Sequence, residues 1–130
     1  MASIFSKIID GQIPCHKVAE SETCIAFLDI RPLVEGHTLI VPKMEVDRLF
    51  DLSDKSYQEL FAFAKKVAHA IKASYPCDRV GMAVVGLEVP HAHIHLMPIS
   101  AMSDMDFANP KVQLDQNQLI YSAQLIASNI

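Results

Sequence analysis

One long helical stripe interrupts the strand-like apolar runs of these 130 residues, and that interruption dictates the architecture. From Ser53 onward Tyr57, Leu60, Phe61, Ala64, Val67, Ala68, Ile71 and Tyr75 recur at spacings of three and four, the stripe of an amphipathic helix with one face to bury. Ser53 can cap the helix start, and Pro76 stops it. On either side the apolar runs are short and bounded by turn residues. Residues 17–19 and 23–29 flank the polar Glu20-Ser21-Glu22 as a hairpin would, and residues 37–41 are closed by Pro42. Residues 79–87 and 92–99 are joined through Gly86-Leu87-Glu88-Val89-Pro90. Five strands interrupted by one long helix, with hairpin-length connections, predict an α+β domain on an antiparallel sheet. Residues 4–9 read as one or two helical turns able to pack as a flap. Residues 100–113 read as an irregular polar connection, and residues 114–130 as a terminal helix.

A chain of 14.4 kDa has room for a single domain, expected to span residues 1–130. With 51% hydrophobic and 20% charged residues it is no disordered or low-complexity chain. The net charge of -4 opposes general nucleic-acid binding, so a phosphate ligand must be held by a local site. Cys15, Cys24 and Cys77 are an odd number without CxxC spacing, which fits reduced thiols in a cytoplasmic protein rather than a disulfide framework. Lys7 and Asp10 interrupt the start before a leader's apolar region could develop, and no window reaches the ~20 apolar residues of a membrane span.

The chemistry concentrates in Pro90-His91-Ala92-His93-Ile94-His95-Leu96-Met97-Pro98. In a strand, alternate side chains share a face, so His91, His93 and His95 line one side at a spacing of roughly 7 Å while Ala92, Ile94 and Leu96 enter apolar packing. Three readings follow. The imidazoles can be a solvated sheet face, or ligands of a metal such as zinc. They can also perform nucleophilic catalysis. Crowded imidazoles disfavour one another's protonation, leaving a neutral ring with a lone pair able to attack phosphorus while a neighbour stabilises charge.

His91-Ala92-His93-Ile94-His95-Leu96-Met97 resembles the signature of the histidine triad (HIT) superfamily, His-φ-His-φ-His-φ-φ with φ hydrophobic. The likeness extends to residues 5–14, 26–32 and 36–43 and covers a core of about residues 3–99, leaving 100–130 as a variable tail. The resemblance implies a five-stranded antiparallel sheet with one long helix, extended across a homodimer. It also implies a purine nucleotide-binding hydrolase of the nucleoside phosphoramidase-like branch. Carried onto this chain, His93 is the nucleophile toward the α-phosphate, His95 contacts phosphate oxygens and leaving group, His91 orients His93, and His37 is a further histidine beside the triad. Asp29 matches the acceptor for the ribose hydroxyls, a role that suits a carboxylate. Phe5, Ile8, Phe27, Leu28 and Ile30 match the pocket for the base, and Gly86 and Glu88 lie in the connection set against the substrate.

The departures from the family pattern matter as much. Many members build a structural zinc site from two cysteines, a histidine after the Pro-Lys and one triad histidine; here the first three positions are Ser3, Ser6 and Glu45, so neither zinc nor another cofactor is expected. An asparagine and a serine that help hold the phosphates fall at Val80 and Glu88, and Leu87 stands where a glutamine is frequent. These exchanges keep two alternatives open: a dinucleoside polyphosphate hydrolase, or a nucleotide-binding regulatory protein with little turnover.

Overall fold

A computed structural model describes residues 2–130. The chain runs α1 (Ile4–Ile9), β1 (Lys17–Glu20), β2 (Cys24–Leu28), β3 (Thr38–Pro42), α2 (Asp54–Ser74), β4 (Arg79–Ala83), β5 (Ile94–Ile99) and α3 (Gln116–Ser128). Short 3₁₀ turns occur at Leu49–Asp51 and Met102–Met105. All pairings are antiparallel, and the five strands lie in the order β1-β2-β3-β5-β4. The expected α+β sheet with one long helix is present.

Ser53 caps α2 by accepting from the Ser56 N–H, and Tyr75 ends it one residue before Pro76. The buried stripe of α2 is Leu60, Phe63, Ala64, Val67, Ala70 and Ile71. It packs with Leu119, Ala123 and Ile126 of α3 on one face of the sheet. Burying each of the larger aliphatic side chains contributes roughly 1.5–3 kcal/mol. The terminal residues thus complete the core that residues 3–99 begin.

Strand alternation sorts the sheet into two faces. Cys24, Ala26, Leu28, Ile40, Ile94 and Leu96 meet α2 and α3, whereas Phe5, Ile25, Phe27, Leu39 and Val41 form a second cluster on the opposite face, under α1. The triad opens on that second face.

Two strands are shorter than the sequence predicts. β5 begins at Ile94 rather than residue 92, and β4 ends at Ala83 rather than residue 87. The ladder between β3 and β5 stops at the Ile40–Ile94 pair because Pro42 has no N–H, its carbonyl accepts from the His91 ring at 2.8 Å, and the Ala92 N–H turns away to Val46 O at 2.7 Å. His91 and His93 therefore project from a bend leading into the strand.

Gly36 permits the turn into β3. Its φ of +92° suits glycine, and a Cβ there would meet the Tyr75 ring at 2.7 Å.

Candidate active site

The triad rings are held by backbone groups, and those groups decide which nitrogen carries each proton. His93 Nδ1 lies 2.7 Å from the carbonyl oxygen of His91. A carbonyl only accepts, so Nδ1–H donates and the lone pair is left on Nε2. His91 is fixed in the opposite sense. Its Nε2–H donates to Pro42 O at 2.8 Å, and its Nδ1 accepts from the Ser3 hydroxyl at 2.7 Å.

A second chain of bonds orients His95. The Leu33 N–H donates to His37 Nδ1 at 3.0 Å, which places the His37 proton on Nε2. That proton points to His95 Nδ1 at 2.9 Å, so His95 carries its own proton on Nε2. The two rings are thus set in complementary states, His93 with a free lone pair and His95 with a free N–H. Their centroids lie 5.0 Å apart, closer than the roughly 7 Å expected of side chains on a straight strand.

Burial keeps these rings neutral. It pulls His37 down to about 4, helped by the charges of Lys111 and His93. It pulls His95 to about 4 as well, with His93 and His37 adding to the effect, and it lowers His93 despite the raising influence of its bond to His91 O. Neutral His37 makes its 3.7 Å approach to Asp29 Oδ2 a polar contact rather than an ion pair. Asp29 Oδ1 accepts from the Arg31 N–H at 2.9 Å, which fixes the carboxylate at the rim.

His93 and His95 open into a cleft of about 580 Å³. Of the residues expected from the sequence, Phe5, Asp29, His37, Gly86, Glu88, His93 and His95 line it. Phe5 stands edge-on to His93 with 5.0 Å between centroids, and also packs against His91 and Phe27. His91 is fully buried behind the cleft, where it can act only through other residues.

Four of the expected base-pocket residues lie elsewhere. Leu28 faces the helices, because a strand cannot send both Phe27 and Leu28 to one side. Phe27 and Ile8 support Phe5 from beneath. Ile30 is 68% exposed, outside the cleft. Ile4, Leu39, Val85 and Val89 supply apolar walls instead. Leu39 was legible from alternation, since it follows His37 by two residues. Arg31, Phe107 and Lys111 also line the cleft, and no sequence period marks them.

Two groups deserve the question of metal binding. Asp29, His37 and His95 have donor atoms within 4.8 Å of one another, but the imidazole nitrogens concerned are joined by a shared proton that a cation would have to displace. At the other place, Ser3, Ser6, Glu45 and His91 converge. Glu45 Oε1 accepts from the Ser3 N–H at 2.7 Å and the Ser6 hydroxyl at 2.6 Å, while Ser3 Oγ accepts from the Ser6 N–H and donates to His91. These bonds hold Glu45 ionised, down to about 2. Serine hydroxyls are poor substitutes for thiolates, and both hydroxyls, Glu45 Oε1 and His91 Nδ1 are already engaged with one another, so these residues do not fit zinc.

An antiparallel sheet carrying a neutral imidazole with a free lone pair beside a hydrogen-bond-donating one, above an apolar cleft with a carboxylate at its rim, is an arrangement suited to histidine-based phosphorus chemistry. The chain belongs to the HIT domain family, whose model matches residues 10–102. It is 38% identical over 99 residues to the adenosine 5'-monophosphoramidase hnt1 of Schizosaccharomyces pombe, covering 75% of this chain and 74% of that protein. Among solved structures it resembles a Hit-like protein from Bartonella henselae at a TM-score of 0.86 and 26% identity, over 98% of this chain and 96% of that one. A zinc-bound histidine triad family protein from Mycobacterium smegmatis matches at a TM-score of 0.82 and 25% identity, over 99% of this chain and 93% of that one.

Proposed function

We propose that this chain is a HIT-type hydrolase that binds a purine nucleotide and attacks the α-phosphate of nucleoside phosphoramidates through a nucleotidyl-histidine intermediate. The observation that carries the reading is the His93 ring: its Nδ1–H is held by the His91 carbonyl, and its neutral Nε2 opens into the cleft. Nε2 forms a bond to phosphorus as the bond to the leaving amine breaks, and the amine departs with a proton taken from water. A second water then displaces the nucleotidyl group from Nε2. His95 Nε2–H stabilises the charge on the phosphate oxygens during both displacements.

Asp29 Oδ2 accepts from the ribose hydroxyls, and Phe5, Leu39 and Ile4 flank the base. The matching S. pombe protein is an adenosine 5'-monophosphoramidase, which supports phosphoramidates as the substrate class. The chain acts in the cytoplasm as a homodimer paired along β4. That strand forms one edge of the sheet and leaves Met82 44% exposed. Among the described residues no helix is long and apolar enough to cross a membrane.

One feature favours a second reading, a nucleotide-binding protein with little turnover. Glu88 brings a carboxylate to the cleft wall, and Val80 packs against the helix-side core, where it cannot hold phosphate. Intact-protein mass spectrometry after mixing with an adenosine phosphoramidate tests both. The hydrolase reading predicts a transient adenylyl adduct, absent from His93→Ala, with release of AMP. Binding of AMP without adduct or turnover would leave the second reading.

A further inference from the structure

The segment between β5 and α3 closes over the triad. Phe107 stands edge-on to His95 with centroids 4.9 Å apart and rings inclined at 78°. Lys111 Nζ lies 5.9 Å from the centre of the Phe107 ring and lines the same cleft as His93, His95 and Asp29. The next residue pins the strap in place: the Val112 N–H donates to Pro32 O at 2.8 Å, tying it to the loop that carries Asp29 and Arg31.

Lys111 is half-buried, yet among the described residues its ammonium has no carboxylate oxygen within 4.0 Å. Holding a cation partly out of water without a counter-charge is unfavourable, and the cost falls when an anion enters. Burial is the main reason that His37 and His95 stay neutral, and the Lys111 charge adds to it at both rings. Meanwhile the wall formed by residues 85–89 offers the carboxylate of Glu88, which repels phosphate. Two cations line the cleft: Arg31 is exposed on the Asp29 loop, whereas Lys111 is half-buried on the strap that covers His95, where it can offset the Glu88 charge beside an anionic substrate.

We propose that Lys111 is the cation that holds the phosphate oxygens of the nucleotide, which makes the strap over His95 a phosphate-binding element. This rests on the nucleotide reading above and adds to it the group that selects a phosphorylated nucleoside over a bare one. Phe107 guides the lysine stem and shields the phosphate from solvent on the side of His95.

Calorimetric titration of the full chain with AMP and with adenosine tests the assignment. Lys111→Met should weaken AMP roughly 10- to 100-fold, the loss of one charge-assisted hydrogen bond, and leave adenosine within about twofold. Lys111→Arg should restore most of the AMP affinity, and the exposed Lys66→Gln on α2, across the sheet, should change neither ligand. An unchanged AMP affinity in Lys111→Met overturns the proposal. An equal loss for both ligands does so too, since the strap would then only support the fold, and so does an equal AMP loss in Lys66→Gln. If the wild-type protein itself fails to prefer AMP to adenosine, the nucleotide reading fails along with the proposal. If the wild type prefers AMP and Lys111→Met retains that preference, only the role of Lys111 is lost.

Discussion

His37 Nε2 lies 2.9 Å from His95 Nδ1, and because the Leu33 N–H occupies the other nitrogen of His37, the proton between the two rings can belong only to His37. A backbone amide in the loop before β3 therefore determines which nitrogen of His95 presents its proton to the cleft. Protonating His95 at Nδ1 would break this relay, so its low proton affinity has a geometric cause as well as a dielectric one.

The division of labour between His93 and His95 gives the first expectation. His93→Ala removes the imidazole lone pair left free beside the cleft, and turnover should fall on the order of 10⁶-fold, with no adduct by mass spectrometry. His95→Ala should cost less, about 10² to 10⁴, and still form the adduct slowly. Near wild-type turnover in His93→Ala would falsify the nucleophile assignment.

Stability should depend on pH through the same buried rings. His37 and His95 are at about 4 in the folded protein and near 6.5 when unfolded, so between those values the unfolded chain binds more protons. Stability then rises with pH across that window, is complete above about 6.5, and is lost as pH falls toward about 4. Urea midpoints at pH 7 and pH 4.5 should differ clearly in the wild type and less in His37→Gln. Parallel pH dependences for the two proteins would assign the titration to other groups.

The hydrogen-bonded set under α1 predicts a metal-independent enzyme. Ser3→Ala leaves His91 Nδ1 fully buried without a donor, at a cost of about 1–3 kcal/mol in chemical denaturation, and also removes the cap of α1. Exhaustive chelation should leave wild-type turnover intact, and elemental analysis should find no stoichiometric zinc. Activity lost to chelation and restored by zinc would return His91, His93 and His95 to the metal reading.

The elements with a strong period were legible in the sequence. The α2 stripe, the hairpin of β1 and β2, and the His-x-His-x-His alternation each state their own geometry locally. The boundaries of β4 and β5 were not, because they depend on His91 taking the Pro42 carbonyl, a contact between residues 49 positions apart. Alternation also corrects the resemblance. Phe27 and Leu28 were both matched to a base pocket, yet adjacent strand residues must part, and Leu28 went to the helices. Phe107 and Lys111 had no period to betray them. The tie of Val112 to Pro32 and the packing of Phe107 on His95 hold that segment at the cleft, and nothing between residues 100 and 113 encodes those contacts as a pattern.

Asp29 offers the last test, aimed at the sugar. Its Oδ1 is engaged by the Arg31 N–H, while Oδ2 faces the cleft 3.7 Å from the proton-bearing nitrogen of His37, too long for a good hydrogen bond. One oxygen is therefore fixed by the turn and the other has acceptor capacity to spare. A ribose with both hydroxyls can fill it, whereas a 2′-deoxyribose leaves a half-buried acceptor short of a partner, at a cost of about 1 to 3 kcal/mol. AMP should therefore bind roughly 5- to 150-fold more tightly than 2′-deoxyadenosine monophosphate. Asp29→Asn keeps a single acceptor oxygen, which the Arg31 N–H claims, and so should erase most of that difference while leaving the phosphate contacts in place. Equal affinity of the wild-type protein for the two sugars would reduce Asp29 to its local role, a side chain that closes the turn before Pro32.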